Sequence, residues 1–169
     1  MEANGVVGTA LIVAQNPLTR ARSTDALRRL STDAASQPRL KEALPSLRPL
    51  LKDKESVVRW NVAVILIRVG EPADQDAAYR VFEQDAKAAG YSDRIGVVET
   101  LAELRTERGN AILKRMAKDD DEDIREAAQV ASRPQERGGF GGFQFNAGNG
   151  DGRTNRRPFP NQPPNAGNA

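Results

Sequence analysis

Four arginines recur along this chain, Arg20, Arg59, Arg94 and Arg125, at separations of 39, 35 and 31 residues. A guanidinium stays charged and offers five donors in a planar fork. A spaced series of them suits either the surface of an acidic partner or a set of internal carboxylates. The second charged feature is the run Asp119, Asp120, Asp121, Glu122 and Asp123. It lacks the spacing, central glycine and terminal glutamate of an EF-hand loop. It reads instead as an inter-helix turn whose acids favour the positive end of the next helix. The sequence has no histidine and no cysteine. Imidazole bases, thiolate nucleophiles, disulfides and the usual zinc ligands are therefore excluded. No phosphate loop, dinucleotide fingerprint or nucleophile elbow occurs. No catalytic residue, cofactor or metal is expected.

Charge is unevenly placed. Residues 133–169 hold five arginines, no lysine, and only Glu136 and Asp151 as acids, so they carry +3 of the net +2 and residues 1–132 carry −1. Gly, Asn and Pro supply 19 of those last 37 residues, and Leu, Ile, Val and Met supply none. Such a stretch cannot bury enough apolar surface to offset its ordering entropy, and a disordered tail is expected. Within it, Arg137 and the following Gly-Gly pairs, with Phe140, Phe143, Arg156 and Arg157, could grip phosphates and stack on bases. One Arg-Gly-Gly triplet makes that a weak nucleic-acid signal, sensitive to salt.

The elements that would position these groups follow from apolar spacing. The most apolar stretch is 56–69, where Val58, Val62, Ile65, Leu66 and Val69 share one helical face and Trp60, Val64 and Ile67 a second. A helix apolar on most sides packs against neighbours on several faces. Ser56 suits an N-cap, Gly70 a C′ position, and Pro72 follows. The stretch is too short to cross a membrane, which takes roughly 18 apolar residues. Trp60 could serve as an exposed binding anchor, but its place on this helix favours the core.

Other helices are expected at 4–15, 18–31, 38–52, 74–89, 92–104, 111–118 and 124–131. The first carries the apolar run 6–14, which lacks the basic flank and cleavage site of a signal peptide. In the third, Pro45 and Pro49 predict a kink, or a shorter helix starting near Pro45. Ser92 is a candidate cap, and Gly109-Asn110 a break. No segment alternates with period two for long.

The second helix of each successive pair carries a common pattern. Arg20 is followed at plus seven and plus ten by Leu27 and Leu30, Arg59 by Leu66 and Val69, and Arg94 by Leu101 and Leu104. Asp53 precedes Arg59 by six residues, as Asp119 precedes Arg125. On these residues the chain resembles the HEAT-repeat family, including the short repeats of phycobilin lyases, over about residues 16–132. The fullest copy is residues 44–70. The resemblance implies that the turn aspartate and the Val-Arg pair link neighbouring repeats, a role falling on Asp53, Arg59, Asp119 and Arg125. Ala14 and Ala88 stand where an aspartate would be expected.

The expectation is an all-α, HEAT/armadillo-like α-solenoid of about four helical hairpins over residues 1–132, followed by a disordered tail, 133–169. The leading functional expectation is a non-enzymatic scaffold or adaptor that binds a protein partner, in the cytoplasm and without a membrane. Arg20, Arg94 and Trp60 are candidate contacts. The alternatives are a lyase-like or DNA-acting enzyme, which the resemblance allows, or a nucleic-acid binder acting through the tail.

Overall fold

Helix caps and prolines punctuate the chain into short helices. The computed structural model describes residues 16–133. The expected helix at 4–15 and the tail, with Arg137, Phe140, Phe143, Arg156 and Arg157, lie outside the described residues. The described elements are α1 (Pro17–Leu30), α2 (Gln37–Leu47), a 3-10 helix (Arg48–Lys52), α3 (Ser56–Val69), α4 (Pro72–Asp85), α5 (Tyr91–Leu104), α6 (Glu107–Met116) and α7 (Glu122–Ala131). Among the described residues there is no strand.

Local chemistry accounts for the ends. The Asn16 side chain accepts from the backbone N–H groups of Leu18 and Thr19, and Pro17 opens α1. Asp121 does the same for Asp123 and Ile124 at the start of α7. The prolines do not kink one long helix. The α-helix runs through Pro45 to Leu47 and gives way to 3-10 geometry at Arg48. Neither Pro45 nor Pro49 can donate to a carbonyl four residues back, so the α-type ladder fails over this stretch.

Several expected boundaries move. Ser56 is the first residue of α3 rather than its cap; Glu55 occupies the cap position, and its N–H donates to the Asp53 carboxylate at 3.0 Å. Gly70 is extended, with φ −81°, not left-handed. Its value is close approach: a Cβ there would lie 2.5 Å from the Leu66 carbonyl oxygen and 2.7 Å from the Asp74 Cβ. α4 stops at Asp85, short of Ala89, and α5 starts at Tyr91 with Gly90, not Ser92, at the cap position. Gly109-Asn110 is not a break. The break falls at Arg105, the C-cap of α5, with φ 51°, and Thr106 then caps α6 by accepting from the Gly109 N–H at 3.1 Å. A glycine in the first turn is tolerated because the cap satisfies its N–H.

The helices pack in two rows. α1 packs on α3, α3 on α5, and α5 on α7; beside them, the 3-10 helix packs on α4, and α4 on α6. Cross-row contacts join α2 and the 3-10 helix to α3, α3 to α4, α4 to α5, and α6 to α7. α3 touches the most elements, and nine of its fourteen residues are buried, which is why its sequence is apolar on nearly every side. The core continues through Phe82, Val97, Leu101, Ile112, Leu113 and Ile124. Burying each such side chain contributes on the order of 1.5–3 kcal/mol.

Candidate functional site

The chemistry-bearing side chains gather at the N-terminal ends of the odd-numbered helices. Arg20 of α1 meets the Asp53 carboxylate through two parallel bonds, Nε to Oδ2 at 2.7 Å and a terminal nitrogen to Oδ1 at 3.0 Å. Arg59 of α3 reaches Asp85 Oδ2 from Nε at 3.2 Å and from a terminal nitrogen at 2.8 Å. Arg94 of α5 meets Asp119 Oδ1 at 2.8 Å, with Asp121 at 3.6 Å. In each case the arginine of one odd-numbered helix holds an aspartate lying beyond the helix that follows it in the chain or at that helix's end.

Two of these turns share their atomic detail. The Asp53 carboxylate accepts from the Glu55 N–H at 3.0 Å, and Asp119 accepts from the Asp121 N–H at 2.9 Å. One terminal nitrogen of Arg59 donates to the carbonyls of Asp53 at 2.8 Å and Lys54 at 3.1 Å. Arg125 repeats this with Asp119 at 2.7 Å and Asp120 at 3.4 Å. Equal spacing in the sequence thus becomes equal geometry. The turns differ in what lies beyond: Arg59 continues to the Asp85 carboxylate, whereas Arg125 pairs with no carboxylate among the described residues.

Asp85 is the acceptor that sequence reasoning missed. Ala88 occupies the place where the repeat pattern calls for an aspartate, and Asp85 lies three residues earlier, about one helical turn away. The signal available was an aspartate one turn before the expected site. Asp85 is buried and also accepts from the indole Nε1 of Trp60 at 2.8 Å. A second missed pair fastens the other row. Arg48 binds the Asp74 carboxylate at 2.7 and 3.0 Å, and Asp74 also accepts from the Glu71 N–H at 3.2 Å.

Trp60 is not an exposed anchor. It is 8% exposed, and its ring lies against Gly96 of α5, where a Cβ would come within 2.3 Å of two ring carbons. Arg20 is likewise buried and engaged with Asp53, and Arg94 is engaged with Asp119. These two guanidiniums are therefore occupied inside the protein rather than presented to a partner. The Arg94 Nε is buried with no hydrogen-bond partner, because the fork meets Asp119 through a terminal nitrogen.

The electrostatics follow from these contacts. Burial pushes the Asp53 carboxyl up, but the bonds from Arg20 and the Glu55 N–H, with the charges of Arg20 and Lys54, outweigh it and hold the carboxyl below its ordinary range. Asp74 is held low chiefly by the Arg48 bond, against the opposing effect of burial. The hydrogen bond to Asp53 raises Arg20 in turn.

The acidic run 119–123 serves the turn: Asp119 and Asp121 make the contacts above, while Glu122 and Asp123 occupy the first turn of α7. Among the described residues no group of three acidic side chains is placed to hold a metal ion. An open depression lies at the end of α4, lined by Arg80, Glu83, Gln84, Asp85, Lys87 and Ala88. No described helix is long and apolar enough to cross a membrane. Set against known proteins, the chain matches no family model and no curated protein.

Proposed function

We propose that this chain is a HEAT-like α-solenoid acting as a non-enzymatic scaffold that binds a protein partner. The observation that carries the reading is the repeated fastening: Arg20 to Asp53, Arg59 to Asp85, and Arg94 to Asp119, each joining one helix pair to the next. The two-row packing supports it, since in a solenoid each helix pair packs chiefly on the pairs next to it. The charged groups most able to do chemistry are spent on these internal pairs. What remains outward is the extended surface that such stacks offer to other proteins.

Affinity capture of the full chain from its source lysate tests the reading. A protein retained in fixed stoichiometry, identified by mass spectrometry and rebound after purification, is the expected result. A co-purifying pigment would move the assignment to the lyase-like alternative. Co-purifying nucleic acid would move it to a DNA-acting enzyme or to contacts through Arg137, Arg153, Arg156 and Arg157.

A further inference from the structure

The opposite ends of the same three helices meet around one carboxylate. Arg28 is in the last turn of α1, Arg68 in the last turn of α3, and Glu103 in the last turn of α5. A terminal nitrogen of Arg28 donates to both Glu103 oxygens, at 2.7 and 2.6 Å. Arg68 donates to Glu103 Oε1 at 3.3 Å and, through its other terminal nitrogen, to the Arg28 carbonyl and Ser31 Oγ, both at 3.2 Å. The rest of the Arg28 fork is held by Asp25 at 3.0 and 3.3 Å.

α1 and α5 are not adjacent in their row, because α3 lies between them and packs on both. The Arg28–Glu103 pair therefore bridges over α3. A carboxylate at the C-terminal end of a helix opposes the helix dipole, so Glu103 depends on these two guanidiniums for compensation. Beneath the bridge, Val57, Asn61, Val64 and Arg68 lie along one stripe of α3 by helical spacing. Val57, far from the bridge, is 49% exposed; Val64, one turn before Arg68, is 0% exposed. A helical side chain covers the turn N-terminal to its own Cα, which puts the Arg68 stem over Val64.

We propose that Glu103, gripped by Arg28 and Arg68, is a salt-sensitive latch that draws α1 and α5 together over α3 and covers the Val64 end of the strip between them. Glu103 itself is exposed, so solvent ions and competing carboxylates reach it. Opening the latch lets α1 and α5 separate and uncovers the Val64 end of the stripe, beyond Asn61, whose amide donates to the Ala21 carbonyl and Thr24 Oγ of α1. This holds whether or not the strip receives a protein partner.

The chain has no cysteine, so two can be introduced without background labelling. Arg22→Cys on α1 and Glu99→Cys on α5, both at exposed positions, would carry spin labels in the full-length protein. The α1–α5 distance is read by pulsed electron paramagnetic resonance at low salt and at about 1 M salt, where the screening length falls to about 3 Å. The expected result is a shift to longer, broader distances at high salt, with the helical circular dichroism unchanged. Glu103→Lys should give the open distribution already at low salt, and combining Arg28→Glu with Glu103→Arg should restore the short one. A distance that ignores salt overturns the proposal, as does a folded Glu103→Lys protein with the original distribution. If Glu103→Lys fails to fold, the salt response of the parent decides.

Discussion

The indole Nε1 of Trp60 donates to Asp85 Oδ2 at 2.8 Å, so one buried carboxylate oxygen joins the core of α3 to the end of α4. The same oxygen takes two bonds from Arg59, at 3.2 and 2.8 Å. Asp85→Ala leaves the Nε and one terminal nitrogen of the partly buried Arg59, and the buried indole N–H, without an acceptor, while the other terminal nitrogen keeps the Asp53 and Lys54 carbonyls. The expected cost is about 3 kcal/mol, as for removing one partner of a buried, charged hydrogen-bond set. Denaturant unfolding followed by Trp60 fluorescence measures it. A loss below about 1 kcal/mol would mean that water replaces the carboxylate at little cost.

Arg59 and Arg125 make the same carbonyl contacts, but only Arg59 also holds a carboxylate. Arg59→Ala should therefore destabilise the protein more than Arg125→Ala, by about 1–2 kcal/mol, the contribution of a charge-assisted bond set. Equal losses would show that the carbonyl contacts alone matter.

Gly96→Ala sets two effects against each other. Alanine improves helix propensity by about 1 kcal/mol. The added Cβ would sit 2.3 Å from the Trp60 ring, which is buried and has little room to move. Overpacking of this kind costs about 1–3 kcal/mol, so a net loss of stability is expected, together with a change in Trp60 emission. A melting temperature at or above that of the parent would contradict this placement of the ring.

Asp53 and Asp74 have carboxyls held below their ordinary range. The unfolded chain, with ordinary values of about 3.9, then binds more protons in acid than the folded chain does. Their stabilisation is complete above that value and is lost as pH falls below about 4 through the folded values. Asp53→Asn and Asp74→Asn should each cost stability at neutral pH and progressively less below pH of about 4. Stability curves for parent and variant that stay parallel down to acid unfolding would refute the assignment.

Much of the helical layout is legible in the sequence because its causes are local. The apolar stripes of residues 56–69 repeat at helical spacing and give α3 both its type and its burial. Asn16-Pro17 and the acids before Ile124 mark helix starts through side chains acting on their own neighbours. The errors share a physical origin. Ser92 and Gly109-Asn110 look like a cap and a break by residue type, yet Gly90 and Thr106 take the cap positions, and Arg105 accepts the left-handed backbone needed to turn the chain.

By itself, the sequence determined the helical class, the spacing of the arginines and the absence of imidazole and thiol chemistry, since composition and short-range periodicity decide these. Only the tertiary structure decided which acid each arginine meets. Asp53 meets Arg20 across 33 residues, Asp85 takes the place left empty by Ala88, and Glu103 reaches Arg28 across 75 residues. It also turned Trp60 inward, onto a glycine of the next helix in its row. An ion pair depends on where two helices pass each other in space, and that is fixed by core packing between α1, α3 and α5 rather than by the order of charges along the chain.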